Sequence, residues 1–431
     1  MSHVTCLLAI PEFDVTHVWT FADETRVHIV MPRGEVACAR CRVIARHRVH
    51  DRVAHRVRDL PAAGCAVALV WAKRVLTCLE GCGTFRERSN AILPRACLTV
   101  RARTEAVRLA SGENRSVASV AATFGVSWDT VMRAIRDDAA QVLEAYDGQR
   151  VVAFGLDETV MNPSRSHTRR RYVTVFVDLD RHRVIDVVEG RHAAVTGWLA
   201  LQDPVWRAQV ATVALDPHAG YRTAVTDRHV GFANAQLVAA CFHVVKLANA
   251  AIDDVHRRVQ QETLGYRGHR HDPLYRIRRA LLAGIERLDP DALGRIRTAL
   301  AAGDPYDEVG CAWTAKELVR AVFATRDPDL AARRLVAFYD WVAVVEVPEL
   351  VRLVTTLSRW QDEIRGYHHT DGISSARVEA INRDVKNIKR VARGFTNFDN
   401  YRARILSRLG QTWQAPTTAR LRGPNALTLA A

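Results

Sequence analysis

Two β-type runs in this chain each end in an aspartate, and that pairing limits the possible folds more than any other feature of the sequence. Val151-Val-Ala-Phe-Gly-Leu runs into Asp157, and Gln209-Val-Ala-Thr-Val-Ala-Leu runs into Asp216. Tyr172-Val-Thr-Val-Phe-Val-Asp178, Arg183-Val-Ile-Asp-Val-Val-Glu189 and Ala235-Gln-Leu-Val-Ala-Ala240 complete a strand-rich block. Helical patterns lie between and after these runs.

Alone, an aspartate after a strand is usually a turn or helix-cap residue. Glu379 changes that weighing. Val378, Ile381, Val385, Ile388 and Ala392 follow three-four spacing and mark a buried helix face, whereas Glu379, Asn382, Lys386, Lys389, Arg390 and Arg393 fall on the other. Laid against the sheet, this helix carries a third carboxylate to the two aspartates and extends a row of cations along a polyanion. Three such carboxylates suit two Mg²⁺ (or Mn²⁺) ions about 3.5–4 Å apart, one activating the attacking oxygen of a phosphodiester displacement and one stabilising the leaving oxygen. Asp157, Asp216 and Glu379 are therefore the expected catalytic and metal-holding residues. A meander of three strands followed by helix, strand, helix and strand is the element order of an RNase H-like domain. His243 opens a helix after the last strand; approach to phosphates and a structural role weigh equally, and no catalytic role is given to it. His269–His271 and His368–His369 lack metal-ligand spacing and read as loops.

Charge agrees with a nucleic-acid partner. Lys and Arg total 61 against 47 Asp and Glu, a formal net charge of +14. Such a surplus favours a polyanion, because each neutralised phosphate releases condensed counterions. At 431 residues and 48% hydrophobic content the chain is long enough for two to four packed domains. No apolar stretch reaches the roughly 18 residues of a membrane span, and no basic-led signal segment is evident. The nine cysteines then read as reduced thiols of a cytoplasmic, nucleoid-associated protein.

Four of those thiols form a pattern. Cys38-Ala-Arg-Cys41 and Cys78-Leu-Glu-Gly-Cys82 bring two pairs into position for one tetrahedral Zn²⁺, as in a zinc ribbon. The segment between them, His47 to Arg58, is rich in cations. Residues 116 to 137 read as a helix-turn-helix: Ser116 caps a helix burying Val117, Val120, Ala121 and Phe124, Gly125 turns, and Ser127 caps a second helix burying Val131 and Ile135. Ser127, Trp128, Thr130, Arg133 and Arg136 are left for a DNA groove or its phosphates, with Lys386, Lys389, Arg390 and Arg393 as a further DNA-contacting set.

The expected architecture is multi-domain α+β. A zinc ribbon (1–100) and a helix-turn-helix (101–148) precede an RNase H-like α/β catalytic core (149–243). A large all-helical insertion (244–360) interrupts that core before its closing helices (361–415), and a tail follows (416–431).

The chain resembles bacterial insertion-sequence DDE transposases of the ISL-three family over roughly residues 25 to 412. The resemblance rests on the cysteine pairs, Arg115 to Arg136, Gly155-Leu-Asp-Glu-Thr159, Phe242-His-Val-Val-Lys-Leu-Ala-Asn249, and Glu379 through Leu406, including Tyr401-Arg-Ala-Arg-Ile-Leu406. It implies an RNase H-like core with Asp157, Asp216 and Glu379 as the acidic triad, and a zinc-binding N-terminus and helix-turn-helix that read terminal inverted repeats. The implied activity is cleavage of the element's ends in double-stranded DNA and transfer of the 3′-hydroxyls to target DNA, by a homodimer or larger assembly. Three departures stand out: Ala240 where relatives carry Asp, Ser374-Ser375-Ala376 where they show Ser-Asn-Gly, and a second cysteine pair one residue tighter. None removes a triad acid; they argue mildly for the competing reading, a catalytically weakened or domesticated transposase acting as a sequence-specific DNA-binding protein, and the intact triad argues against it. A general nuclease on the same fold would need neither ribbon nor helix-turn-helix.

Overall fold

The computed structural model describes residues 10, 12–146, 148–162, 170–266, 269–370, 372–373 and 376–413; the expected tail and Ser374–Ser375 lie outside them. The chain divides into two compact units, Met1–Asp147 with Asn387–Ala431, and Gly148–Lys386. No helix among the described residues is long and apolar enough to cross a membrane.

The first unit opens with β1 (Asp14–Thr20) and β2 (Glu24–Val30), then a small hairpin of β3 (Val36–Ala37) and β4 (Ile44–Ala45). Two long strands follow, β5 (Arg48–Ala62) and β6 (Cys65–Thr77), and then the short β7 (Thr84–Arg86). The sheet runs β1-β2-β6-β5 with β7 also on β6, and its β2–β6 pair is parallel. Trp71, fully buried, centres a core with Phe13, Val27, Ile29, Val57 and Leu69. The cation-rich run from His47 is mostly strand β5. Two of its arginines and one from β2 are drawn together by one acid: Glu24, 4% exposed, accepts from Arg26, Arg56 and Arg58. Burial alone would raise Glu24, but the three guanidiniums outweigh it and hold the carboxyl at about 2.

Helix α1 (Val100–Val107) passes into a π-helical turn, Arg108–Gly112. α2 (Val117–Phe124) and α3 (Trp128–Tyr146) form the helix-turn-helix. Ser116 Oγ accepts from the Ser119 N–H at 3.1 Å and Ser127 Oγ from the Thr130 N–H at 3.2 Å, while Gly125 supplies the turn at φ +63°. All six expected apolar residues, from Val117 to Ile135, are buried.

The second unit is built on a five-stranded sheet. β8 (Ala153–Asn162), β9 (Arg171–Asp178) and β10 (Arg183–Glu189) make an antiparallel meander. After α4 (His192–Ala200) and α5 (Pro204–Ala208), β11 (Thr212–Leu215) lies parallel to β8; after α6 (Ala219–Val225), β12 (Gln236–Ala239) lies parallel to β11. The order β10-β9-β8-β11-β12 is the RNase H-like topology expected from the sequence. β8 does not stop at Asp157, however: its ladder with β9 continues through Asp157↔Val175 to Asn162↔Arg171, because the alternation of side chains persists past the acid.

Helices fill the rest of this unit: α7 (Cys241–Leu264), α8 (Arg278–Leu282), α9 (Pro290–Gly303), α10 (Glu308–Phe323), α11 (Pro328–Val345), α12 (Pro348–Arg359) and α13 (Gln361–His369). His368 and His369 therefore close a helix rather than a loop, and His368 stacks on Phe323. α14 (Ala376–Val391) begins in this unit, which ends at Lys386. Its Val378, Ile381, Val385 and Ile388 are buried as the spacing predicts, but Ala392 is exposed, because Arg393 and Gly394 take positive φ and end the helix first. α14 approaches β8 at Gly155, where an added Cβ would sit 2.5 Å from Val378 Cγ2.

The last helix, α15 (Phe398–Leu409), belongs to the first unit and braces it. Ser407 Oγ donates to Asp138 Oδ2 on α3 at 2.6 Å, and Arg408 Nη1 donates to the carbonyls of Ser111 and Gly112 at 2.6 and 2.7 Å.

Two tests follow from this packing. A folded-state carboxyl depressed to about 2 stabilises the fold above its ordinary value, and that contribution fades as pH falls from there towards 2. Glu24→Gln is expected to be less stable than wild type at pH 7, with the gap closing progressively at pH 4 and pH 2.5 in urea titrations; a pH-independent gap would contradict this. Gly155→Ala is expected to cost about 1–3 kcal/mol, the usual cost of overpacking, and to melt earlier.

Candidate functional site

Asp157 and Asp216 enter from neighbouring parallel strands: Asp157 lies within β8, and Asp216 follows the last residue of β11. Glu379 comes from the first turn of α14. His243, on the first turn of α7, stands between two of the acids. Its Nδ1 is 3.0 Å from Asp216 Oδ2 and its Nε2 is 3.3 Å from Glu379 Oε1. Asn382, one turn beyond Glu379, donates its Nδ2 to Asp157 Oδ2. Asn382 is thus 3% exposed rather than on the solvated face the spacing suggested, because that part of the face turns towards the sheet.

The electrostatics follow from this crowding. Burial, and then the charge of Asp216, push Asp157 up to about 7, against the pull of the Glu158 N–H, Asn382 and His243. Burial by itself would lower His243, but its hydrogen bond to Asp216 and the charges of Asp216, Asp157 and Glu379 raise it above its ordinary value. Glu379 Oε1 is buried and makes no hydrogen bond, its nearest cationic neighbour being His243 Nε2 at 3.3 Å. Half-desolvated carboxylates, one with an orphaned oxygen, form a hard-oxygen donor set that fits a divalent cation. The three carboxylates are nonetheless spread. Among the described residues only the cysteine quartet has three or more His, Cys, Asp or Glu ligand atoms all within 4.8 Å of one another.

Sequence reasoning gave His243 no role and missed a support behind Asp157. Glu158 points away from the acids and takes a two-pronged ion pair from Arg191, at 2.7 and 2.8 Å, while the Tyr221 hydroxyl donates to the same carboxylate. This ties β8 to the start of α4 and to α6. The signal was present in Gly155-Leu-Asp-Glu-Thr159, but its partners lie 33 and 63 residues away.

In the first unit, Cys38, Cys41, Cys78 and Cys82 come together as predicted, with Cys41 and Cys78 sulfurs 3.6 Å apart. Sulfurs around one tetrahedral zinc stand about 3.8 Å apart, given Zn–S bonds of about 2.3 Å. The N–H groups of Arg40 and Cys41 lower the Cys38 thiol to about 6, whereas hydrogen bonding with Cys41 and Cys78 pushes Cys82 up to about 12. Four sulfurs drawn this close together fit a zinc ion, whose charge favours thiolate ligands.

On the helix-turn-helix, Trp128, Arg133 and Arg136 are exposed. Ser127 and Thr130 are occupied with capping, their hydroxyls 2.9 Å apart. Arg136 donates to Asn400 Oδ1 at 3.1 and 2.7 Å. Lys386, Arg390 and Arg393 are exposed and Lys389 is half-buried.

A family profile described as a transposase matches residues 154–405, and a profile for the helix-turn-helix domain of transposase family ISL3 matches residues 92–139. No curated protein matches the chain. The first profile spans both aspartates, His243 and Glu379, and covers more than half of the sequence. The chain belongs to the ISL3 family of DDE transposases and is a transposase that binds DNA.

Proposed function

We propose that Asp157, Asp216 and Glu379 are the catalytic acids of a transposase that binds the terminal inverted repeats of its element, cuts there and joins the 3′-hydroxyl ends to target DNA. The observation that carries this reading is the position of His243, 3.0 Å from Asp216 and 3.3 Å from Glu379, together with the Asn382 bond to Asp157. Acids from three separate elements are thereby tied into one network, which a set of strand-end turn residues would not need.

The three acids would hold divalent ions, Mg²⁺ or Mn²⁺. Such ions, when bound, supply activation of the attacking oxygen and stabilisation of the leaving one. The chain's own residues do the positioning. Asn382 orients Asp157 by its hydrogen bond, and the Glu158–Arg191 pair fixes the strand from behind. His243 bridges Asp216 and Glu379 and, protonated, offers both a donor and positive charge.

The zinc-bearing sheet and α2–α3 would read the ends, with Trp128, Arg133 and Arg136 foremost, and Lys386, Lys389, Arg390 and Arg393 would follow the backbone. In this division α15 goes with the helix-turn-helix, since it bonds to α3 and to the π-helical turn. Two ends to be joined call for at least a dimer on DNA.

Cleavage of end-labelled DNA from the flanks of the gene, with Mg²⁺ or Mn²⁺, tests the reading. Wild type is expected to give discrete cuts at inverted repeats. Asp157→Asn and Glu379→Gln are expected to lose cleavage by about a hundredfold or more while still binding the ends. Specific binding without cuts in the wild type would instead identify a DNA-binding descendant. Cys41→Ser is expected to release zinc and weaken end binding; metal content unchanged from wild type would refute the ribbon.

A further inference from the structure

A cavity of about 530 Å³ in the first unit opens where α2 and α15 begin. Ser116, the cap of α2, and Asn397, the cap of α15, both line it, as do Trp128 of α3 and Arg393 of the preceding loop. Two helix N-termini thus turn their first-turn amides and partial positive charge towards one space, with one amide of each taken by its own cap, Ser119 by Ser116 and Asn400 by Asn397. Among the described residues, its lining contains no acid.

The wall is closed by Arg404 of α15. This arginine is 1% exposed and has no ion pair among the described residues. Its Nη2 donates only to neutral oxygens, Asn114 Oδ1 at 3.4 Å and the Arg115 carbonyl at 3.2 Å, and its Nη1 has no hydrogen-bond partner. Arg408, one turn on, adds a second positive charge rather than a counterion, and its Nε is also buried without a partner. A guanidinium withdrawn from water without an anion is strongly disfavoured, so its retention calls for a ligand that brings the negative charge. Arginine's fork suits phosphate oxygens. The cavity also borders the recognition helix: Trp128 and Met132 line it, and Arg136 is hydrogen-bonded to Asn400 on its far side.

We propose that this cavity seats a backbone phosphate of the bound DNA, with Arg404 as its buried charged partner, Arg393 at the rim, and the amides opening α2 and α15 as further donors. The proposal rests on end binding by the helix-turn-helix and adds to it a fixed phosphate anchor beside α3. Such an anchor sets register without reading sequence.

The test is binding of a labelled duplex from the element's end to the full chain across a salt series, comparing wild type with Arg404→Met. The variant is expected to bind about tenfold more weakly, with a salt dependence shallower by about 0.9 in log–log slope, the value of one phosphate contact. Its melting temperature without DNA is expected to hold or rise, because an apolar side chain replaces an unpaired charge. Unchanged affinity and slope would overturn the proposal, as would a phosphate-induced rise in wild-type melting temperature, at constant ionic strength, combined with unaltered DNA binding in Arg404→Met. Failure of the wild type to bind any duplex would instead remove the end-binding reading itself. Should Arg404→Met not fold, methylphosphonate scanning of the duplex decides. One neutralised phosphate is expected to weaken wild type about tenfold and to have little further effect on Arg393→Asn, whose residue keeps the positive φ. Fully additive losses at every position would place the phosphate elsewhere.

Discussion

The proposed catalytic site depends on a missing side chain. At Gly155 the strand offers only hydrogen to the helix above it, and Val378 occupies the space where a Cβ would stand. Close approach there lowers the first turns of α14 onto β8. Arg377 reaches the carbonyl of Leu179, Glu379 comes within 3.3 Å of His243, and Asn382 touches Asp157. The helix could satisfy its apolar stripe at a greater separation, but its polar residues would then stop short of the sheet. Behind the strand, Glu158 anchors to Arg191 and Tyr221, so β8 is held from both sides at adjacent residues.

Three regions of the molecule concentrate charge that the chain alone leaves unbalanced. In the second unit burial and the charge of Asp216 raise Asp157, and Asp216 and Glu379 flank one imidazole. The cysteine quartet contains one thiol driven down to about 6 and another pushed up to about 12 by its neighbours. Arg404 carries the opposite sign, buried with only neutral acceptors. Two other cations, one half-buried and one fully buried, have their anions at hand. Arg258 is matched by Glu308 and Glu349, and Lys316 by Glu317 and two carbonyls. Against that background, imbalance marks the places where something else completes the chemistry.

Much of this was legible from local pattern. The meander, the two parallel strands, the helix-turn-helix with its caps and the cysteine pairing all follow from period, turn residues and spacing. What stayed hidden was determined by long-range packing. Nothing local distinguishes an Asp at a strand's end from one inside it when Thr159, Val160 and Met161 keep the strand going, so Asp157 was placed at an end it does not occupy. Asn382 shares a wheel face with lysines and arginines, and only docking shows that this part of the face points inward. His243 bridges residues 27 behind it and 136 ahead of it (243 − 216 and 379 − 243), a separation no motif spans. The long basic strand β5 is obscured because its cations interrupt the apolar alternation, and only the fold shows Glu24 gathering two of them.

The position of α14 and α15 in the chain has a temporal consequence. A ribosome making this protein completes the helix-turn-helix pair and most of the second sheet's strands long before residue 379 emerges. Until then the acidic network has two carboxylates and no third, and α3 lacks the bonds it receives from Ser407 and Gln411. Because long-range contacts of this kind form late, both halves of the machinery mature together at the end of synthesis. A chain ended before residue 376 therefore lacks α14 and α15, and with them the third acid and the brace of the helix-turn-helix.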